Sequence, residues 1–220
     1  MVSCERWPVM TRWVVGNSGG CYDTDNMNEY NLGIHKPMPE DAKNVFKGTI
    51  FSVWQWNQRL FDGTKQLYER ATRSDVTHAV GVMPDGRILL AEDRQPHRNA
   101  VITPPGGKVE LRETPEDAVR REFMEETGYE IGRLLPWHHY KPANDKIEYT
   151  CWAYVARDIR KVAEPQPEAG EKIKVLFYSF DEFLALGQNP KMRDLVIRII
   201  LLEAQLDATK RDKLKELFYG

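Results

Sequence analysis

The stretch that decides the fold is GKVELRETPEDAVRREFMEETGY, residues 107–129. Thr114 is a good helix N-cap, with an acidic residue three positions later, and Pro115 suits the first helical position. Gly128 suits the position just past the end of a helix, where a left-handed backbone is needed. These signals predict one helix that begins after Thr114 and ends before Gly128.

Four glutamates give this stretch its chemical character. Glu113 precedes the helix, whereas Glu122, Glu125 and Glu126 lie three and four residues apart and therefore share one helix face. Like charges at this spacing repel, and carboxylates in the last turn oppose the negative end of the helix dipole. A hard divalent cation is the natural compensation, because it prefers oxygen ligands and can also bind phosphate oxygens. The pattern therefore predicts a metal site for phosphate chemistry.

The spacing of the fixed residues resembles the Nudix box. So many positions in register disfavour the alternative, a charged, solvated helix with a chance run of glutamates. The layout of the chain over roughly residues 45–206 is similar to that of ADP-ribose pyrophosphatase-type Nudix hydrolases. The residues that match the box are Gly107, Glu113, Arg121, Glu122, Phe123, Glu125, Glu126, Gly128 and Tyr129.

The resemblance implies which groups bind the metal. Glu122, Glu126 and the backbone carbonyl of Gly106 are expected to be direct ligands of Mg²⁺, with Mn²⁺ as the alternative ion. Glu125 is expected to ligate a second ion or to hold a water molecule. Metal ligands are commonly oriented by outer partners, and the resemblance assigns that part to Glu113.

Arg121 lies on the helix beside these acids and is expected to organise them, Glu113 in particular. The general base is less closely specified. In ADP-ribose pyrophosphatases a glutamate in the loop before the strand at residues 171–178 can play this part. Of the three glutamates in that loop here, Glu168 is our first choice, Glu171 the second, and Glu164 the remaining one. The alternative is that all three are solvated and that Glu125 or another box acid acts as the base.

Substrate contacts are assigned from residue type alone. Trp54 and Trp56 share one face of a predicted strand, as alternate residues do, and adenine can stack there. Packing in the core or at an interface explains the same pair equally well. Arg70 and Arg94 can bind phosphate or ribose, although single arginines are usually surface residues. The chain reads AEDRQP where the subfamily usually has a more arginine-rich run, which weakens the assignment of ADP-ribose itself.

The whole chain is typical of a globular protein in a reducing compartment. It has 220 residues, of which 41% are hydrophobic and 29% charged, and a net charge of −2. Neither a nucleic-acid nor a membrane partner is therefore expected. Three widely spaced cysteines predict free thiols, and the start of the chain shows no apolar signal segment. We expect a cytoplasmic protein.

We divide the chain into an irregular segment at residues 1–45, a β segment at 46–76, a hydrolase domain at 77–206 and a helical tail at 207–220. Strand signals grouped around a few helices predict an α/β protein with a mixed sheet between helices. The resemblance implies the Nudix α/β/α sandwich with an N-terminal β extension, and a homodimer that the extension helps to form. The pattern GNSGG at 16–20 matches a hydrolase nucleophile elbow but lacks the following helix, so a loop is expected.

Helix signals also mark the C-terminal part of the chain. Ser179 and Glu182 form a predicted capping box for a short helix that ends at Gly187. A longer helix is predicted at residues 190–206, and a last turn or two from about Thr209. A stripe at helical spacing is expected to be buried in the core, namely Leu195, Ile199, Leu202 and Leu206.

Our first functional hypothesis is Mg²⁺-dependent hydrolysis of the diphosphate bond of a nucleoside diphosphate linked to a sugar. ADP-ribose, giving AMP and ribose 5-phosphate, is the leading substrate, and GDP-mannose, another nucleotide sugar or NADH are alternatives. A second hypothesis is a non-catalytic Nudix module that senses a nucleotide, which the complete box disfavours. Isopentenyl diphosphate isomerisation lacks the expected cysteine and histidine set, and RNA decapping lacks a basic face.

Overall fold

The computed structural model describes residues 36–142 and 144–220, together with two short backbone strands between residues 13 and 23. The chain divides into two compact units. The first comprises residues 1–73 with 138–150, and the second comprises residues 74–137 with 151–220. No helix within the described ranges is long and apolar enough to cross a membrane. The predicted loop at 16–20 lies outside the described residues.

The part of the chain that the structure describes contains fifteen strands. In chain order they are β1 (Trp13–Val15), β2 (Cys21–Asp23), β3 (Lys43–Lys47), β4 (Ser52–Arg59), β5 (Lys65–Thr72), β6 (Val76–Val82), β7 (Ile88–Gln95), β8 (Arg98–Thr103), β9 (Gly106–Lys108), β10 (Tyr129–Glu130), β11 (Arg133–Tyr140), β12 (Ile147–Glu148), β13 (Cys151–Arg157), β14 (Arg160–Lys161) and β15 (Lys172–Tyr178). The helices are α1 (Pro115–Thr127), α2 (Phe180–Ala185), α3 (Leu195–Leu206) and α4 (Ala208–Tyr219), with a 3-10 turn at Leu186–Gln188.

The first unit contains a four-stranded sheet in the order β12-β5-β4-β3. Strands β4 and β5 form an antiparallel hairpin. In the turn between them, the Asp62 side chain accepts a hydrogen bond from the backbone N–H of Thr64 at 2.9 Å. Gly63 adopts φ 86°, a left-handed conformation that glycine reaches without steric cost.

The second unit contains a seven-stranded sheet with the path β11-β13-β6-β7-β15, to which β8 adds beside β7 and β9 beside β6. Strand β6 runs parallel to β13 and antiparallel to β7. The predicted mixed sheet is therefore confirmed. All residues of β6 after the first are buried, as expected for a central strand that is covered on both faces.

Helix α1 packs on this sheet through its apolar face. Val119 and Phe123 of the helix are fully buried in a cluster with Ala79, Leu89 and Tyr154 from the sheet. Phe123 and Val119 stand four residues apart, and this spacing keeps both side chains on one face of the helix. Glu126 follows Val119 by seven residues and is also buried on this side of the helix, whereas Glu122 and Glu125 are partly exposed.

The predicted buried stripe of α3 is wrong. Leu195, Ile199 and Leu206 are 65%, 47% and 90% exposed, and Leu202 is half-buried. The buried residues of α3 are Ile197, Ile200, Leu201 and Ala204. Because the helix LVIRIILLEAQL is apolar on more than one face, two stripes satisfy the same helical spacing, and periodicity alone cannot choose between them. The helix also begins at Leu195 rather than near residue 190, after an N-cap at Asp194.

Candidate active site

Helix α1 has the ends that the sequence predicts. The Thr114 side chain accepts a hydrogen bond from the backbone N–H of Asp117 at 3.1 Å. Gly128 adopts the left-handed conformation, with φ 73°, and its N–H donates to the carbonyl of Met124. The capping box of α2 is also present, with Ser179 and Glu182 bonded reciprocally. Both helices therefore begin where their capping residues indicate.

Strand β9 supplies backbone groups to the glutamate face of α1. The N–H of Gly106 donates to Oε2 of Glu126 at 2.9 Å. A Cβ added to Gly107 would lie 2.5 Å from the carboxyl carbon of Glu122, and one added to Gly106 would lie 2.1 Å from the carbonyl oxygen of Thr77. Glycine at position 107 lets β9 approach the Glu122 side chain of the helix closely, and glycine at position 106 lets β9 approach the backbone of β6. The structure thus brings together Gly106, Glu122 and Glu126, the three residues to which the sequence analysis assigns a metal ion.

Arg121 holds the other acids of the box. It forms a bidentate pair with Glu113, with Nε to Oε1 at 3.0 Å and Nη2 to Oε2 at 3.1 Å. Its Nη1 also donates to Glu122 at 2.8 Å and to Glu125 at 3.2 Å. These hydrogen bonds lower the pKa of the Glu113 carboxyl, because they favour its ionised form. Arg121 therefore organises three acids, as the sequence analysis expects.

Glu126 is in a different electrostatic situation. Its side chain is only slightly exposed, and burial raises its pKa to about 8. The hydrogen bond from Gly106 opposes this rise, while the negative charges of Glu171, Glu122 and Asp93 add to it. Burial likewise raises the pKa of Glu122, although Arg121 acts in the opposite direction. This part of the site holds more negative charge than its basic neighbours balance.

Of the loop glutamates before β15, Glu171 is the one associated with the box. Its charge raises the pKa of both Glu126 and Glu122, and burial raises its own pKa. Glu168 and Glu164 are exposed. Glu168 contributes its backbone carbonyl, which accepts a hydrogen bond from the N–H of Glu171 at 2.9 Å. Glu171 is thus the more buried of the two and the one whose charge acts on the helix acids, whereas the sequence ranks Glu168 first.

Three residues beside Glu171 are not identified by the sequence analysis. Nε2 of Gln95 donates to Oε1 of Glu171 at 3.0 Å and lies 3.5 Å from Oδ2 of Asp93. Asp93 is 5% exposed and forms an ion pair with Arg98. In the strand ILLAEDRQ, Asp93 stands between the charged residues Glu92 and Arg94, and only the structure shows that Asp93 is the buried one of the three. Such a residue usually has a partner or a function.

A pocket of about 570 Å³ opens next to these residues. It is lined by the end of β7, the start of β8 and the start of β15, and Glu171 is among its lining residues. Arg94, the predicted phosphate or ribose contact, lines it as well, together with Lys172, His97 and Arg98. Arg94 and Lys172 stand directly opposite each other on β7 and β15. The pocket therefore combines cationic side chains with one acid of the candidate site.

Trp54, Trp56 and Arg70 lie in the sheet of the first unit. Trp56 is 6% exposed, its ring lies 4.8 Å from that of Tyr68, and the Arg70 guanidinium lies 5.7 Å from its centre. Arg70 is buried and pairs with Glu148 at 3.0 Å. Nε1 of Trp54 donates to the Thr72 hydroxyl at 3.2 Å. Trp56 and Arg70 thus have packing partners within their own sheet, and their contact with a substrate stays a prediction.

The donor set on α1 and β9 fits a hard divalent cation. Within the residues that the structure describes, no three His, Cys, Asp or Glu side chains form a metal-binding group by themselves. Mg²⁺, however, is usually held by only one or two carboxylates, with water and phosphate oxygens completing its shell. The Glu122 and Glu126 carboxylates offer such a pair, and the buried Glu126 lies beside other negative charges that a cation would offset.

Comparison with known proteins agrees with this geometry. The family model of the NUDIX domain matches residues 73–199. ADP-ribose pyrophosphatase of Bacillus subtilis (strain 168) is 21% identical over 174 residues, which cover 76% of this chain and 94% of that protein. The methanol dehydrogenase activator of Bacillus methanolicus is also 21% identical over 174 residues, which cover 78% and 94%.

A third relative is similar over a shorter stretch. The NAD-capped RNA hydrolase NudC of Photorhabdus laumondii subsp. laumondii is 49% identical over 63 residues, which cover 26% of this chain and 24% of that protein. Among solved structures, that of an ADP compounds hydrolase matches with a TM-score of 0.64 and 18% identity, and covers 80% of this chain and 96% of the other. At this identity the structural match establishes the fold alone.

Proposed function

This chain belongs to the NUDIX domain family, and we propose that it uses Mg²⁺ to hydrolyse the diphosphate bond of a nucleoside diphosphate linked to a sugar. ADP-ribose is the proposed substrate, and AMP and ribose 5-phosphate are the products. The observation that carries this proposal is the buried Glu126, which shares one helix face with Glu122 and is bonded to the backbone of Gly106. The relative from Bacillus subtilis named above supports the choice of substrate.

Glu122, Glu126 and the carbonyl of Gly106 would hold the metal ion in this proposal, with Mn²⁺ as the alternative to Mg²⁺. The ion would neutralise phosphate oxygens and make a bound water more acidic. The Glu125 side chain is 44% exposed and accepts a hydrogen bond from Arg121 at 3.2 Å, and we assign it to a second ion or a water molecule. Arg121 and Glu113 would orient the helix acids, because their bidentate pair fixes the guanidinium from which Glu122 accepts.

Glu171 is the proposed general base. Its carboxylate would take one proton from the attacking water as the water oxygen bonds to phosphorus. The bond between that phosphorus and the bridging oxygen breaks, and the bridging oxygen leaves with the second phosphate group. Two phosphate monoesters result, so one water molecule accounts for all atoms. Glu168, the first choice from the sequence, becomes the second here, because its carboxylate is exposed and its backbone carbonyl accepts from the N–H of Glu171.

The pocket beside Glu171 is the proposed place of the substrate. Arg94 and Lys172 line it from opposite strands, and two like charges in this arrangement repel each other unless an anion lies nearby. A diphosphate supplies that anion and leaves its scissile bond next to the acids of α1. Guanidinium and ammonium groups are common phosphate partners. Arg94 is accordingly assigned to phosphate rather than ribose.

Turnover of a substrate panel tests the function. Purified protein is incubated with ADP-ribose, GDP-mannose, UDP-glucose, NADH and dinucleoside polyphosphates, with Mg²⁺, with Mn²⁺ or with EDTA. We expect phosphate-monoester products from ADP-ribose with Mg²⁺ and none with EDTA. Cleavage of a different panel member would keep the diphosphatase and change its substrate. No cleavage, with a ligand that nonetheless raises the melting temperature, would support a nucleotide-sensing module instead.

A homodimer through the β segment at residues 46–76 belongs to the same proposal. Several large apolar side chains of this segment are exposed, among them Phe46, Ile50, Phe61 and Leu67. Exposed apolar patches commonly mark protein interfaces. Light scattering on the intact protein is expected to give twice the monomer mass. We also propose a cytoplasmic location, the compartment that the odd number and wide spacing of the cysteines in the sequence predict.

A further inference from the structure

We propose that Gln95 is a positioning residue that holds the Glu171 carboxylate in place for proton transfer. The inference rests on the proposed function, because it assigns Glu171 as the base. Gln95 is the last residue of β7 and is partly buried. Its Nε2 donates to Oε1 of Glu171 at 3.0 Å. This hydrogen bond links the end of β7 to the carboxylate of Glu171.

The backbone around Glu171 explains why such a bond is needed. The regular pairing of β15 with β7 begins at Lys172, opposite Arg94, so Glu171 lies just outside the sheet. A turn closed by the N–H of Glu171 and the carbonyl of Glu168, at 2.9 Å, is its local backbone support. A side chain at the end of a loop has many accessible rotamers, and ordering one costs free energy. The hydrogen bond from the Gln95 amide favours one rotamer of Glu171.

Asp93 and Arg98 in turn hold the Gln95 amide. Asp93 and Gln95 are two residues apart on β7, so their side chains leave the same face of the strand. Nε2 of Gln95 lies 3.5 Å from Oδ2 of Asp93. Arg98 pairs with that carboxylate and also donates to the backbone carbonyl of Asp93 at 3.2 Å. Arg98 stands opposite Gln95 in the pairing of β7 with β8. Asp93, Gln95 and Arg98 therefore all lie on strands of the sheet.

The chemistry of the two neighbours fixes the orientation of the amide. Ionised carboxylates only accept hydrogen bonds, whereas an amide NH₂ has two hydrogens to donate. The NH₂ end of Gln95 must therefore face Asp93 and Glu171, since a flipped amide would place its oxygen against two acceptors. A residue of the same size without a donor cannot replace it, and an acidic residue would add a third negative charge.

Turnover of Gln95→Leu tests the positioning role, with Gln188→Leu as the matched control. Gln188 is an exposed glutamine whose Nε2 donates to Gln205 at 3.0 Å, away from the residues assigned to the site. We expect kcat of Gln95→Leu to fall about tenfold or more while KM changes less than about threefold. Gln95→Glu is expected to lower kcat further. The control is expected to keep the kcat of the unmodified protein.

A double-mutant cycle separates positioning from a general structural role. If Gln95 acts through Glu171, the variant with both Gln95→Leu and Glu171→Gln is no slower than Glu171→Gln alone. Independent losses that multiply in the double variant would overturn the proposal, as would an unchanged kcat in Gln95→Leu.

Hydrogen exchange gives a readout that does not need turnover. The backbone N–H of Glu171 is expected to exchange at least about threefold faster in Gln95→Leu than in the unmodified protein, with β6 unchanged. Equal exchange at Glu171 would contradict the positioning role. If the unmodified protein cleaves nothing in the panel, the proposed function fails. If exchange at Glu171 is nonetheless faster in Gln95→Leu, the contact between Gln95 and Glu171 still stands.

Discussion

Two sides of one helix handle the same kind of charge in opposite ways. On the Arg121 side of α1, the guanidinium contacts Glu113, Glu122 and Glu125, and it lowers the pKa of Glu113. On the Glu126 side, the carboxylate accepts one backbone N–H, and burial raises its pKa to about 8. The first side is balanced within the protein, and the second is not.

The difference indicates where the proposed cation would bind. Like-charged carboxylates near each other stay ionised only with a partner, and Arg121 fills that part for one side. Glu126 instead experiences the negative charges of Glu171, Glu122 and Asp93. A divalent ion on this side would complete the balance. Glu113 is therefore expected to support the site and Glu126 to bind the metal, while Glu122 belongs to both sides, because it accepts from Arg121 and is also a proposed ligand.

The largest expected effect comes from neutralising the unbalanced side. Glu126→Gln is expected to lower kcat by about 10³-fold or more, because the proposed metal loses a buried ligand. Glu125→Gln, on the more exposed Arg121 side, is the matched control with a smaller expected loss. Steady-state kinetics with Mg²⁺ measures both. Near-normal turnover in Glu126→Gln would break the assignment of the metal to this side.

The loop acid is expected to have the next largest effect. Glu171→Gln is expected to lower kcat by about 10²-fold or more, the usual contribution of a general base, with little change in KM. Glu168→Gln is expected to stay within about threefold of the unmodified protein, since its side chain is exposed. If Glu168→Gln lost more activity than Glu171→Gln, Glu168 would be the base and Glu171 would not.

A substitution in β9 disturbs the approach of the helix acids. In Gly107→Ala the new Cβ would lie 2.5 Å from the Glu122 carboxyl carbon, so this flexible side chain must move away. Displacing a ligand by about 1 Å can cost about 10²-fold in rate, and we expect a kcat loss of about 10- to 100-fold. Thermal unfolding is expected to change little. A loss of stability in place of activity would show that the backbone, rather than Glu122, gives way.

The smallest expected effect is a pH dependence of stability without metal. The folded-state pKa of Glu126 lies above its unfolded value, so the folded protein binds the proton more tightly between about pH 4.5 and 8. Its contribution to stability is fully present below about pH 4.5 and is lost as pH rises through about 8, by about 1 kcal/mol per pH unit at most. Urea unfolding with EDTA measures the slope, which Glu126→Gln is expected to reduce. Equal slopes in both proteins would contradict a raised pKa of Glu126 in the folded protein.

Helices α1 and α3 differ in how much of their structure the sequence predicted. For α1, the N-cap at Thr114, the C-cap at Gly128 and the convergence of the glutamates are confirmed. For α3, the helix was predicted but its buried face was not, because Leu201 and Leu206 belong to two apolar stripes and only Leu201 is buried. A polar face defines the orientation of a helix, and α3 lacks a clear one.

Local sequence was enough to specify the Nudix helix, its ends and the glutamates that lie close together along it, since these depend on neighbours within four residues along the chain. The fold, in contrast, brings the charge of Glu171 near Glu126 and places Gln95 in contact with Glu171. That contact joins residues 76 positions apart. It depends on the register of β15 against β7, which no local pattern specifies.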